Sequence, residues 1–110
     1  MKGNSKIKTI KIEEARQLSK SKGAKFVWLG QPLRISLTKA LGITPEQLLE
    51  FEPEEIVSMP DAKLKLLNND IFVCYHGITS AAVVKFLKEK KGVEGYSLKG
   101  GITAIVGENY

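Results

Sequence analysis

Cys74 is the only cysteine of the chain, and its neighbours suit nucleophilic chemistry. It follows the apolar run Ile-Phe-Val at 71–73 and precedes a turn that contains Gly77. Residues 79–82, Thr-Ser-Ala-Ala, then have helical character. A sulfur between the end of a strand and the start of a helix lies near backbone N–H groups and the positive end of the helix dipole, which favour thiolate over thiol. The segment therefore predicts a reactive-cysteine loop with Cys74 as the nucleophile.

The residues that follow Cys74 can bind an anion. Gly77 lies where the backbone must turn tightly with its N–H groups facing inward. Thr79 and Ser80 can cap the helix and also offer hydroxyl donors to an anion. The alternative is that Cys74 is a small core hydrophobe, which is the common role of a lone cysteine. That alternative leaves Gly77 and one of the two hydroxyl residues without a purpose.

The remaining loop residues leave several roles open. His76, the only histidine, is either a general base, an orienting donor or a side chain that points outward. Tyr75 either lines the pocket or packs at the end of the strand, and Ile78 is an apolar residue at the tip of the loop. One cysteine and one histidine without placed carboxylates do not make a closed metal site, so no metal is expected.

A phosphatase reaction is disfavoured because the loop has no arginine at the required position. A phosphatase loop of the Cys-x5-Arg type needs a guanidinium fork on the bound anion. The sixth residue after Cys74 is Ser80, and no arginine follows Arg34.

Strands are expected to alternate with helices, which predicts an α/β fold with a mainly parallel sheet covered on both faces. Gln47 follows Thr44 and Pro45 in the form of a capping box, which predicts a helix there. The predicted strands are residues 7–10, 25–29, 71–75 and 93–98. The first predicted helix begins at residue 12 and ends before Gly23. The other predicted helices are 33–41, 47–51, 61–67, 80–90 and a terminal segment after Gly100 and Gly101. Residues 52–59 stay unassigned.

Size and composition limit the classes of protein. The chain has 110 residues and a formal net charge of +5, with 43% hydrophobic and 26% charged residues. The length predicts one domain, residues 1–110. A single cysteine excludes an internal disulfide, and no segment has the apolar length expected of a signal peptide or a membrane span. A cytoplasmic protein is therefore expected. The basic residues are scattered and not interleaved with aromatic residues, which argues against nucleic acid as a partner.

The second half of the chain resembles rhodanese domains. The resemblance rests on 71–77 (Ile-Phe-Val-Cys-Tyr-His-Gly), 79–82 (Thr-Ser-Ala-Ala) and 98–104 (Leu-Lys-Gly-Gly-Ile-Thr-Ala). The Cys-Tyr-His-Gly form is especially similar to single-domain thiosulfate sulfurtransferases, and residues 10–15 match the opening of these domains more weakly. Segment 30–58 departs from the pattern because the Asp-Val-Arg-like and Gly-His-Ile-Pro-Gly-Ala-like sequences are absent.

The resemblance implies a three-layer rhodanese-like fold and a sulfurtransferase. Cys74 would carry sulfane sulfur from thiosulfate or a similar anionic donor to a thiol or protein acceptor as a persulfide, without a cofactor. The backbone N–H groups of Tyr75, His76, Gly77, Ile78, Thr79 and Ser80 would bind the persulfide. A persulfide carrier in a sulfur relay and a non-catalytic binding module remain as alternatives.

Overall fold

The structure is a computed structural model that describes residues 7–33 and 35–107. Its strands are β1 (Lys8–Ile10), β2 (Phe26–Leu29), β3 (Leu48–Phe51), β4 (Asp70–Val73) and β5 (Gly95–Leu98). Its helices are α1 (Ile12–Lys22), α2 (Leu37–Leu41), α3 (Pro53–Val57), α4 (Asp61–Leu64), α5 (Ile78–Phe86) and α6 (Thr103–Val106). Single 3-10 turns occupy Pro45–Gln47 and Lys65–Leu67, and a π-helical turn, Leu87–Lys91, extends α5.

The five strands form one sheet in the order β1-β5-β4-β2-β3, and all four pairings are parallel. Parallel strands are usually buried on both faces by crossover helices. All residues of β2 and β4 are buried, as their central places in the sheet require. The carboxyl ends of the strands lie along one edge, so Cys74, which follows β4, lies at the middle of that edge.

A hydrophobic layer covers each face of the sheet. On one face, Trp28 and Ile71 pack with buried residues of α1 and α2. On the other face, Phe72 packs with buried residues of α3, α4 and α5, and Cys74 belongs to this second layer. Neighbouring residues of β4 thus point to opposite layers. The three-layer α/β fold expected from the sequence is confirmed.

The prediction of a helix at 47–51 is wrong, because residues 48–51 form the edge strand β3. The capping box itself exists: the backbone N–H of Thr44 donates to Oε1 of Gln47 at 2.8 Å. It caps only the single turn Pro45–Gln47. Residues 48–51 then pair in register with β2, from Phe26 opposite Leu48 to Leu29 opposite Phe51. Pairing with a neighbouring strand has overridden the helical propensity of Leu and Glu.

The helix predicted for 33–41 begins later, at Leu37. The side chain of Ser36 accepts a hydrogen bond from the backbone N–H of Lys39 at 3.3 Å, which is the usual N-cap contact. The unassigned segment 52–59 contains α3, which starts at Pro53 and packs against α5. The other strands and helices lie where the sequence places them, within a few residues.

None of the helices among residues 7–33 and 35–107 has the length and apolar character needed to cross a bilayer. The cytoplasmic location stays a prediction, as does the assignment of residues 1–110 to one domain. Residues 1–6, where a signal peptide would begin and none is expected, lie outside the described residues, as does Arg34.

Candidate active site

The sulfur of Cys74 accepts hydrogen bonds from two backbone N–H groups. The N–H groups of Gly77 and Ser80 each lie 3.1 Å from Sγ. Only 3% of Cys74 is exposed, so these bonds are made in a largely water-free place. Hydrogen bonds to an ionised acceptor are roughly twice as strong as those to a neutral one. The geometry therefore favours negative charge on Sγ.

One of these donors is an otherwise unsatisfied amide of α5. The first intrahelical bond runs from the N–H of Ala81 to the carbonyl oxygen of Gly77, so the N–H of Ser80 has no acceptor within the helix. Sγ of Cys74 supplies that acceptor and takes the place of an N-cap side chain. Thr79 and Ser80 can cap a helix by residue type, but neither hydroxyl caps α5, because this helix already starts at Ile78.

Gly77 is needed at the turn for two reasons. Its φ angle of +91° lies in the region that side chains disfavour. A Cβ atom here would also lie 3.0 Å from the N atom of Gly100. The chain can therefore turn back toward Sγ only with glycine at this position.

The Gly100–Gly101 turn packs directly against the cysteine loop. The N–H of Ile102 donates to the carbonyl oxygen of Cys74 at 2.9 Å, and the N–H of Thr103 donates to that of Tyr75 at 3.1 Å. A Cβ atom at Gly101 would lie 2.5 Å from both carbonyl oxygens. The start of α6 thus binds the carbonyl groups of the loop. The sequence pattern contained both glycines but gave no indication of this role.

Two buried hydroxyl groups continue the site below the sulfur. Sγ lies 3.4 Å from Oγ of Ser80, and Oγ of Ser80 lies 2.7 Å from Oγ of Ser97 on β5. Ser80 is 0% exposed and Ser97 is 1% exposed. Sequence reasoning missed Ser97; a hydroxyl residue directly before the apolar Leu98 in a buried strand was the available signal.

The other predicted binding residues lie at the surface of the loop. Tyr75, His76, Ile78 and Thr79 are exposed, with Ile78 the most exposed of the large apolar residues near the loop at 77%. The rings of Tyr75 and His76 meet edge to face, with their centroids 4.5 Å apart. The structure thus divides the predicted site into a buried floor, made by Cys74 and Ser80, and an exposed rim, with Gly77 between them.

The loops after β2 and β3 reach the same edge of the sheet. The N–H of Gly30 donates to the carbonyl oxygen of Phe51 at 3.1 Å, and Nε2 of Gln31 donates to Oε2 of Glu52 at 2.7 Å. These bonds connect the two loops of segment 30–58, which is the part of the chain that departs from the rhodanese pattern.

Lys99 lies away from the cysteine floor. It lines a hollow of about 420 Å³ together with Lys11, Glu13 and Ile105, between α1 and α6. Among the described residues, no three His, Cys, Asp or Glu side chains are close enough to hold a metal ion.

Neither protein-family models nor curated proteins match this sequence. Several solved structures match its fold. A rhodanese-like domain protein from Staphylococcus aureus is 25% identical, with a TM-score of 0.58 and 94% of each chain covered. A rhodanese-related protein from Thermoplasma volcanium is 23% identical, with a TM-score of 0.56 and 94% of each chain covered.

A further similar structure comes from Rhodopseudomonas palustris and is described as a possible tyrosine phosphatase. It is 17% identical, with a TM-score of 0.63, and the match covers 91% of this chain and 80% of that one. At this identity the match concerns the fold alone. In the present chain Ser80 stands where a Cys-x5-Arg loop has its arginine, and Arg16 donates to the carbonyl oxygens of Leu41 and Ala40.

The match to the two rhodanese-related structures extends over nearly the whole chain, and thus over the parallel five-stranded sheet and the helices on both of its faces. The chain therefore has the rhodanese-like fold.

Proposed function

We propose that this protein is a sulfurtransferase that moves sulfane sulfur from thiosulfate, or a similar small anion, through a persulfide on Cys74. The observation that carries the proposal is the pair of backbone N–H groups, from Gly77 and Ser80, that lie 3.1 Å from Sγ. A nucleophilic sulfur must be a thiolate, and donors fixed around it stabilise that charge without reorganisation.

In the first half-reaction the thiolate of Cys74 attacks the outer sulfur of thiosulfate. A bond forms between Sγ and that sulfur, the S–S bond of thiosulfate breaks, and its electron pair leaves with sulfite. The negative charge of the enzyme then resides on the outer sulfur of the persulfide. The first-turn amides of α5 and the positive end of its dipole favour an anion at this place.

In the second half-reaction an acceptor nucleophile attacks the outer sulfur. The bond between the two sulfurs breaks, and its electron pair returns to Sγ, which regenerates the thiolate. A thiol accepts the sulfur as a persulfide, and cyanide accepts it as thiocyanate. No step needs a metal or an organic cofactor.

A persulfide carrier is the second candidate, and the exposed rim favours it. Ile78 is 77% exposed and Tyr75 is 38% exposed, directly beside the cysteine loop. Such an apolar rim suits contact with a protein donor or acceptor. A carrier would hold the same persulfide but would turn over thiosulfate slowly. Ile78→Ser should then weaken transfer to a protein acceptor while leaving transfer to cyanide unchanged.

Intact mass spectrometry of the reduced protein before and after addition of thiosulfate tests the proposal. We expect a gain of one sulfur atom that cyanide removes, with release of thiocyanate. Cys74→Ser is the matched variant, since the two side chains have nearly the same shape but the hydroxyl is a far weaker nucleophile. It should gain no sulfur while its melting temperature stays close to that of the wild type.

Two results would contradict the enzyme. Sulfur transfer by Cys74→Ser would exclude Cys74 as the nucleophile. No sulfur gain by the wild type would exclude thiosulfate as the donor. A carrier instead requires a gain of sulfur from a persulfidated protein, and failure there too would leave a binding module without sulfur chemistry.

A further inference from the structure

We infer that Ser97 is a positioning residue, which makes the hydroxyl group of Ser80 donate to Sγ of Cys74 whenever that sulfur carries negative charge. The inference deepens the proposed function and rests on it. It starts from the buried hydroxyl pair, in which Oγ of Ser80 lies 3.4 Å from Sγ and 2.7 Å from Oγ of Ser97.

The number of protons limits the hydrogen bonds of this group. A serine hydroxyl has one proton to donate and two lone pairs to accept with. When Cys74 is a thiol, its S–H donates to Oγ of Ser80, and either hydroxyl of the pair can donate to the other. Cys74, Ser80 and Ser97 then carry three protons but share only two hydrogen bonds, so one proton has no acceptor among the three groups.

The bonds reverse when Cys74 is a thiolate. Sγ has no proton and only accepts, so the hydroxyl of Ser80 is able to donate to it. Ser97 then donates to Oγ of Ser80, and every proton of the chain Ser97–Ser80–Cys74 has an acceptor. Hydrogen bonds in such chains polarise one another, and this strengthens the donation to the sulfur. The buried pair therefore satisfies the charged form of the sulfur more completely than the neutral form.

The pair acts on the steps in which Sγ is charged. Sγ is the attacking thiolate in the first half-reaction and the leaving thiolate in the second. In the persulfide between them the charge is on the outer sulfur, and the Ser80 proton can return to Ser97. Both residues are buried, so water cannot replace either hydroxyl without cost. Ser97 thus acts through Ser80 and does not touch the substrate.

A double-mutant cycle on the free protein tests this arrangement. The variants are Ser80→Ala, Ser97→Ala and the double variant, and the measurement is the rate at which iodoacetamide alkylates Cys74 at fixed pH. Ser80→Ala keeps the backbone N–H that binds Sγ and removes only the hydroxyl. We expect this variant to be slower by roughly 20-fold and Ser97→Ala by about fivefold, values typical of losing one hydrogen bond to a charged and to a neutral group.

The decisive result is the double variant. Because Ser97 acts only through Ser80, the double variant should be no slower than Ser80→Ala alone, within about twofold. Ser97→Thr, which keeps the hydroxyl, should react within about twofold of the wild type. If the added methyl group of threonine lowers the melting temperature, the three alanine variants decide alone.

Ser19→Ala is the matched control. Ser19 is a buried serine of α1, 6% exposed, whose hydroxyl is bonded to the side chain of Gln47, away from the cysteine. This variant loses a buried hydroxyl but should alkylate at the wild-type rate. Any general effect of weakened packing would slow it as well.

Additive effects of the two alanine substitutions, or a wild-type rate in Ser97→Ala, would overturn the inference. Alkylation needs no sulfur donor, so this result is independent of the proposed function. If the cycle is non-additive but thiosulfate adds no sulfur to the wild type, the hydroxyl pair stands and the sulfurtransferase does not.

Discussion

The two ends of β4 provide different numbers of hydrogen-bond donors to a buried side chain. After its carboxyl end, Sγ of Cys74 receives the N–H groups of Gly77 and Ser80 at 3.1 Å. At its amino end, Oδ1 of Asp70 accepts one bond, from the N–H of Lys25 at 3.0 Å, but Oδ2 is buried without a hydrogen-bond partner among the described residues. Asp70 is 6% exposed and Cys74 is 3% exposed, so burial is similar and the number of donors differs.

The difference in the number of donors arises from the segments that flank β4. The carboxyl end of β4 runs into the first turn of α5, where amides have no acceptor inside the helix. The amino end follows the turn at Asn69, and within residues 7–33 and 35–107 one backbone donor, the N–H of Lys25, is directed at the Asp70 carboxyl. Burial raises the pKa of the Asp70 carboxyl above 3.8, although the N–H and charge of Lys25 oppose the shift. The flanking segments therefore direct two backbone donors at the buried sulfur after one end of the strand, whereas at the other end a buried carboxylate oxygen has no donor in the described part of the chain.

We expect the largest effect on the cysteine loop, after the carboxyl end of β4, from Gly101→Ala. The new Cβ atom would lie 2.5 Å from the carbonyl oxygens of Cys74 and Tyr75, at a residue whose φ is +65°. We expect the loop to move away from α6, with sulfur uptake from thiosulfate falling by more than about tenfold and stability by about 3 kcal/mol. Single-turnover mass spectrometry and urea unfolding measure the two effects.

Gly23→Ala is the control for backbone strain. Gly23, which follows α1, has a similar φ of +72°, but a Cβ atom added there would have no neighbouring atom within 4 Å. We expect a loss of only about 1 kcal/mol and unchanged sulfur uptake. Equal effects of the two substitutions would show that the losses of stability and sulfur uptake come from backbone strain and not from contact with the loop carbonyl groups.

His76→Ala tests whether backbone groups hold the charge at the cysteine end. His76 is exposed on the rim and packs edge-on against Tyr75, whereas the floor around Sγ is formed by main-chain donors and Ser80. We expect sulfur uptake to fall by no more than about fivefold, less than the roughly 10²–10⁴ that a general acid or base contributes. A loss as large as that of Cys74→Ser would make the histidine a catalytic base.

Asp70→Asn tests the buried carboxyl at the amino end of β4. The folded state raises the pKa of Asp70, so its contribution to stability is fully present below pH 3.8 and is lost as the pH rises through the higher folded value. The variant lacks this loss, because asparagine keeps the acceptor for Lys25 but does not ionise. Its stability relative to the wild type should therefore rise with pH as the wild-type carboxyl ionises.

Urea unfolding of both proteins from about pH 3.5 to neutral pH, a range chosen around the ordinary value of 3.8, measures this effect. A constant difference in the free energy of unfolding would show that the carboxyl ionises normally in the folded state. Sulfur uptake should be the same in both proteins, since Asp70 is at the far end of β4 from Cys74.

Prediction from sequence succeeded where short-range pattern and structure coincide. The run 71–73, the cysteine and the helix after Gly77 lie close together along the chain, and each part has its own local signal. The same holds for α1, with acidic residues in its first turn and Gly23 at its end. It failed at 47–51, where the local capping box is real but the pairing of β3 with β2 decides the structure.

The sequence by itself determined that a strand, a cysteine loop and a helix follow one another, because sterics and backbone hydrogen bonding act between near neighbours. It also carried the resemblance that the fold comparison supports. Only the tertiary structure decided what supports the loop. It placed Gly101 against the carbonyl groups of Cys74 and Tyr75, and Ser97 beside Ser80, because α6 and β5 reach the loop through sheet packing and not through the chain. Contacts of that kind depend on distances across the sheet. A local pattern can mark Ser97 as a hydroxyl residue in a buried strand, but it does not say which residue lies beside it.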